Sequence, residues 1–162
     1  MWNNSTKPDE DIETIIRDYG DMLFRICFLL LGNTYDTEDV IQDTMIKYIS
    51  KAPNFQSKEY QKAWLIKVAT NQCKDILRYR TNHQMVNLDD IQEITSNSEQ
   101  YEIMECLMNI PEKFRIILIL HYIEGYSTKE ISKMIGKTDS CVKMRLSKGR
   151  KLLKDVYQKE VD

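Results

Sequence analysis

The stretch EGYSTKEISKMIGKTDSCVKMRLSKGR, residues 124–150, decides the fold. Ser127 and Thr128 are of the type that caps helix N-termini, because a short side-chain oxygen accepts from the unpaired N–H groups of a first turn. Behind them Ile131 and Met134-Ile135 keep helical spacing over a short segment, and Gly136 stops it. A longer helix follows, with Val142, Leu146, Gly149 and Leu153 on one stripe. Two short helices that cross steeply need a residue free to take the turn and apolar residues on both sides to seal the corner. The spacing therefore predicts a helix-turn-helix.

In such a motif the second helix enters the major groove, and its outward positions here are Asp139, Ser140, Lys143, Met144, Ser147, Lys148 and Lys151. Between Lys137 and Lys151 six cations (Lys137, Lys143, Arg145, Lys148, Arg150, Lys151) stand against one acid, Asp139. Lys143, Arg145, Lys148 and Arg150 suit phosphates, while Ser140, Lys143 and Met144, near the helix start, are placed for base edges. A solvated face on a terminal helix would carry the same charges, but it would not need the turn and short helix before it.

Upstream, Ile15, Tyr19, Met22, Leu23, Ile26, Cys27, Leu30 and Leu31 follow the three-and-four spacing of an amphipathic helix that Gly32-Asn33 terminates. Asp36 reads as the cap of a second helix, with Glu38 and Asp39 in its first turn and Val40, Ile41, Ile46, Tyr48 and Ile49 continuing it until Ala52-Pro53-Asn54. A third helix is predicted from about Glu59 to Tyr79, with Trp64, Leu65, Val68, Ala69, Cys73, Ile76 and Leu77 on one face. The segment 81–100 is polar and acidic and reads as a linker. Periodicity resumes with Met104, Leu107 and Met108, pauses at Ile110-Pro111, and restarts through Phe114, Ile117, Leu118 and Tyr122, with Pro111 suited to the first position of that helix. The expected fold is all-α: two small helical bundles, residues 10–80 and 101–160, joined by the linker, the second containing the helix-turn-helix.

Charge is segregated along the chain, so the formal net charge of -2 hides its pattern. Residues 89–112 hold seven acids and no base, while Lys62, Lys67, Lys74, Arg78 and Arg80 form a second basic cluster against Glu59 and Asp75. Two basic faces imply two contacts with one polyanion. The third helix and the short loop before it, with Phe55, combine aromatic and basic groups that suit single-stranded DNA, although Trp64 heads an apolar stripe and fits a core position better. The second helix carries Asp36, Glu38, Asp39, Gln42 and Asp43 with no base before Lys47, a face that would repel DNA and fits a basic helical partner or plain solvent.

Other chemistries find little to work with. Cys27, Cys73, Cys106 and Cys141 are far apart and lack C-x-x-C pairing, so reduced core cysteines are expected, and His83 and His121 are too distant in sequence for a zinc site or a catalytic dyad to be read from them. No metal, cofactor or catalytic residue is expected, nor does any glycine-rich phosphate loop or nucleophile-base pair point to an enzyme. The longest apolar run, Ile26 to Leu31, is far short of the roughly 20 residues of a membrane span, and the N-terminus opens no signal peptide, which together imply a cytoplasmic protein.

Six segments carry a resemblance. They are YGDMLFRI (19–26), DTEDVIQDT (36–44), AWLIKVATN (63–71) with Asp75 and Arg78, IPEKFR (110–115), EGYSTKEI (124–131) and VKMRLSKGR (142–150). In this order and spacing the chain resembles an extracytoplasmic-function RNA polymerase sigma factor of the sigma-70 superfamily over nearly its whole length. The resemblance implies a protein that brings core polymerase to chosen promoters and helps melt them. It implies that Asp36, Asp39, Gln42 and Asp43 bind the clamp helices of the largest polymerase subunit. It implies that Phe55, Lys62, Trp64, Lys67, Asn71, Lys74 and Arg78 serve the unpaired -10 element, and that Thr128, Lys137, Ser140, Lys143, Met144, Arg145, Ser147, Lys148 and Arg150 serve the duplex -35 element. Promoter DNA, core polymerase and an anti-sigma factor are the implied partners. Two departures stand out. Met144 replaces a usual hydroxyl, and Gly149 replaces a usual alanine at a cost of about 1 kcal/mol of helix propensity unless close packing requires it. The rival reading is a stand-alone helix-turn-helix regulator that binds operator DNA without polymerase; it leaves the acidic second helix unexplained.

Overall fold

The structure, a computed structural model, describes residues 11–83 and 98–161. Helix α1 spans Ile12–Leu31, α2 Thr34–Lys51, α3 Lys58–His83, α4 Ser98–Met108, α5 Glu112–Leu118, α6 Thr128–Ile135 and α7 Asp139–Val161, with a π-helical turn at Ile119–Ile123 continuing α5. Among the described residues every element is helical. The predicted linker falls mostly on 84–97, outside the described residues.

Helix α1 begins where the Asp11 carboxylate accepts from Thr14 N–H (2.9 Å) and ends at Gly32, whose left-handed φ of 77° lets its N–H reach Phe28 O (2.7 Å). Every residue of the apolar stripe foreseen on α1 is buried, and so is Phe28, which lies off that stripe. The reason is that α1 packs on both sides: α2 and α3 cover one flank, while α4 and α5 approach the other, where Phe28 and Met104 form a small cluster of their own. A helix apolar over so much of its circumference belongs in an interior.

A chain of buried hydrogen bonds ties the first three helices: Tyr19 Oη donates to Gln61 Oε1 (3.0 Å), and Gln61 Nε2 donates to Tyr48 Oη (2.9 Å). Because each buried polar group here meets a partner, the network fixes register without the cost of an orphaned donor. Cys27 and Cys73 meet where α1 packs on α3, and the hydrogen bond with Cys27, together with burial, pushes the Cys73 thiol well above its ordinary range. Such a thiol is unreactive. Cys106 is buried as well and Cys141 half-buried, and all four remain thiols.

Two details of α2 differ from the sequence reading. Its cap is Asn33, whose side chain accepts from Asp36 N–H (2.8 Å). Asp36 sits in the first turn, where it receives Asn33 Nδ2 (3.0 Å) and pairs with Arg80. Arg80 in turn donates to Leu31 O (2.6 Å), so this cation closes the end of α1 and does not extend the basic surface of α3.

The helix-turn-helix forms as its sequence requires. Ser127 and Glu130 make a reciprocal capping box at the start of α6 (2.8 and 3.2 Å), and Gly136 takes the turn at φ 67°. Pro111 occupies the cap position of α5, one residue earlier than its predicted place. Gly149 lies where α7 crosses α5: a Cβ there would stand 3.3 to 3.5 Å from the Leu118 side chain, so close packing does account for the missing methyl.

Candidate nucleic-acid and polymerase interface

On α7 the apolar stripe and the polar face separate cleanly. Val142, Leu146 and Gly149 are buried, whereas Ser140, Lys143, Met144, Ser147, Lys148 and Lys151 are exposed, Met144 at 63%. Thr138 Oγ1 accepts from Cys141 N–H (3.1 Å) and starts the helix. Asp139, the one acid between Lys137 and Lys151, binds Lys143 Nζ (3.1 Å), and the neighbouring Thr128 hydroxyl and that ammonium hold its carboxyl below the ordinary range. Thr128 itself is half-buried and Lys137 exposed beside the turn. Two predicted cations are differently placed. Arg150, though exposed, donates to Tyr122 Oη (3.1 Å) on the π-helical turn, and Arg145 is half-buried on the side of α7 toward α3.

On α3 the residues predicted to serve single-stranded DNA divide into three groups. Lys67, Asn71 and Arg78 are exposed at positions 4 and 7 apart, along one stripe of the helix. Phe55 and Trp64 are half-buried in an aromatic cluster, each ring meeting Tyr48 at 6.3 and 6.1 Å and the two meeting each other edge-on at 5.8 Å. Trp64 thus sits against the core, as its place on the apolar stripe implies. Lys62 and Lys74 are half-buried and face the second bundle: Lys62 Nζ lies 5.2 Å from the Tyr126 ring. Burial lowers the Lys74 ammonium from its usual range, Glu112 opposes that shift, and Arg145, Lys137 and Arg78 add to it.

On α2, Asp39, Gln42 and Asp43 are exposed, while Asp36 is half-buried and already paired. The same stripe holds exposed apolar residues that sequence reasoning assigned to the continuing helix: Ile46 at 60% and Ile49 at 44%, with Tyr35 at its head at 81%. Positions 35, 39, 42, 46 and 49 alternate in steps of four and three, so acid and apolar groups share one outward seam. The signal was present in the sequence, because α2 needs only Val40, Met45 and Tyr48 to face the core and these leave Ile46 and Ile49 on the far side.

The two bundles meet through Arg25, which donates to Glu124 at 2.7 and 3.0 Å, and through Arg115, which donates to Leu30 O (2.8 Å) of α1 as well as to Leu107 O and Met108 O (3.1 and 3.2 Å) of α4. Among the described residues no group of histidine, cysteine and carboxylate side chains is arranged to hold a metal ion, and no helix is long and apolar enough to cross a membrane.

Comparison with known proteins bears on this arrangement. Residues 15–83 match the family described as Sigma-70 region 2, and residues 100–153 match Sigma-70, region 4. The chain is 29% identical over 159 residues to the ECF RNA polymerase sigma factor SigE of Mycolicibacterium smegmatis, covering 91% of this chain and 62% of that protein. It is 25% identical to RNA polymerase sigma factor SigV of Bacillus subtilis, covering 91% of each. The fold is that of the sigma factor RpoE of Bartonella quintana, solved with the anti-sigma factor NepR (TM-score 0.72, 20% identity, 91% of this chain and 97% of that one), and of CnrH, solved with the cytosolic domain of CnrY (TM-score 0.68, 18% identity, 90% and 86%). With both regions present in order, the second containing the helix-turn-helix, the chain belongs to the sigma-70 family of RNA polymerase sigma factors, in its extracytoplasmic-function group.

Proposed function

We propose that this promoter-specificity factor divides its task among three surfaces. The seam of α2, with Asp39, Gln42 and Asp43 beside Tyr35, Ile46 and Ile49, docks on core polymerase. Acidic groups would steer it to a basic helical partner, and the exposed apolar side chains would supply the buried area that charge alone lacks. The exposed stripe of α3 and the loop at 52–57 capture unpaired bases of the -10 element. The outward face of α7 reads the -35 element as duplex, with Lys143 and Lys148 on phosphates and Ser140 and Met144 toward base edges. In this reading a -10 module occupies 10–80, a linker 81–100 and a -35 module 101–160, which the family regions matched at 15–83 and 100–153 support.

The observation that carries this reading is the coexistence of an acid-and-apolar seam on α2 with a cationic face on α7. A stand-alone operator-binding regulator needs only the second. Melting in this scheme is differential binding: the factor binds exposed bases more tightly than paired ones and thereby shifts the equilibrium toward the open duplex. It transfers no atoms, so no turnover is assigned to the chain. It acts inside the cell, where polymerase and promoter are, and the anti-sigma partners of its structural relatives make a protein inhibitor of the same class part of the reading.

Charge reversal tests the polymerase surface. Asp39→Lys with Asp43→Lys should weaken association with core polymerase at least tenfold, while isolated -35 duplex binding stays unchanged; full retention of core binding by the double variant removes α2 from the interface.

A further inference from the structure

Met144 stands 63% exposed in the second turn of α7. On the described residues of α6 and α7 only one other large apolar side chain, Tyr157, is exposed, and it lies about 20 Å farther along the helix. A single exposed methionine on a protein surface is ordinary. The position of this one is not. Gly136 takes the turn and Thr138 starts α7, so Met144 lies about 8 Å from the helix start, in the N-terminal portion that meets base edges when such a helix enters the major groove. Ser140 and Ser147, about one turn before and after it, are exposed on the same face. Lys143 and Lys148 have partners of their own: Lys143 Nζ binds Asp139 at 3.1 Å, and Lys148 Nζ lies 5.4 Å from the centre of the Phe114 ring.

The bases differ in what they offer a thioether. In the major groove adenine, guanine and cytosine present hydrogen-bonding groups, whereas thymine adds a methyl group at C5. Methionine donates no hydrogen bond and its sulfur accepts only weakly, so against an amine, a carbonyl or a ring nitrogen it displaces water without replacing the bond that water made. Against the thymine methyl, apolar surface leaves water on both sides. The unbranched side chain can follow that methyl without a preformed pocket.

We propose that Met144 is a specificity determinant that selects thymine at one position of the upstream promoter element by contact with its 5-methyl group. The inference rests on the assignment of the outward face of α7 to duplex DNA. A protein partner is the poorer fit, because an apolar protein contact needs a patch and α7 exposes no second large apolar side chain within about 20 Å of Met144.

The test uses the chain assembled with core polymerase and a duplex promoter fragment from which that complex initiates. Each thymine of the upstream element is replaced in turn by deoxyuridine, which lacks only the 5-methyl group. At one position the replacement should weaken binding about fourfold, the value of one methyl group withdrawn from water. Met144→Ala should weaken binding to the parent fragment by at least as much and abolish the sensitivity at that position, with an unchanged melting temperature because the side chain is mostly in water. Met144→Leu should keep the sensitivity. An upstream element without thymine, indifference to deoxyuridine at every position, or a sensitivity that Met144→Ala leaves at full size overturns the inference. So does weaker association of Met144→Ala with core polymerase in the absence of DNA, which would make the side chain a protein contact. Lys143→Ala separates this inference from the reading beneath it. If that variant alters dependence on the upstream element while Met144→Ala does not, only the thymine contact falls; if neither alters it, the assignment of α7 falls as well.

Discussion

At Arg115 a positive charge sits where only 4% of the residue meets solvent, and burial pushes its guanidinium down to about 10, still charged at neutral pH. The side chain is tolerated because its fork satisfies carbonyls of α1 and α4 at once, joining the two bundles. Arg115→Ala strands those carbonyls and should cost about 3 to 5 kcal/mol in urea unfolding, and Arg115→Lys should recover only part of it because an ammonium cannot span both helices. Asp36 is also shifted downward, but for the opposite reason, since here the lower value favours the charged form. Burial alone would raise its carboxyl, but hydrogen bonds from Arg80 and Asn33 and the charge of Arg80 outweigh that and hold it below the ordinary carboxylate range. Its contribution to stability is therefore full above the unfolded carboxylate range, near pH 4, and is lost as pH falls through its lower folded value. An Asp36→Asn variant should show a smaller stability loss between neutral pH and pH 2 than the parent, measured by denaturation at each pH; equal losses would mean that the Arg80 pair contributes nothing.

At the scale of elements, α7 depends on its close crossing with α5. Gly149→Ala adds helix propensity of about 1 kcal/mol but sets a methyl against Leu118, so its melting temperature should stay within a few degrees of the parent, while Gly149→Leu should destabilise by about 1 to 3 kcal/mol through overpacking. The helices themselves were legible, since each has an apolar stripe of the right period and a stop such as Gly32, Pro53 or Gly136. Their outward faces were less so. Ile46 and Ile49 were read only as continuing α2, because periodicity does not say how wide the packed face is, and both are exposed. Asp36 and Asn33 are both good caps, and the choice between them is made by Arg80, which reaches Asp36 from 44 residues away. The π-helical turn at Ile119–Ile123 had no signature either: the widened turn directs Tyr122 toward Arg150, a contact 28 residues distant in sequence.

At the scale of the whole molecule, charge organises function more than composition does. A net charge of -2 conceals an acidic seam on α2 and cationic faces on α3 and α7. The docking of the two bundles was not readable from the sequence, because Arg25, Glu124, Arg115 and Lys62 look like ordinary surface charges until the tertiary fold brings them together. The most direct test of the account is transcription reconstituted from purified core RNA polymerase and this chain on a library of genomic promoter fragments. The account predicts start sites that depend on the chain and share two sequence elements, the upstream one altered by substitutions on α7 and the downstream one by substitutions on α3. A chain that leaves the pattern of initiation by core polymerase unchanged would contradict it.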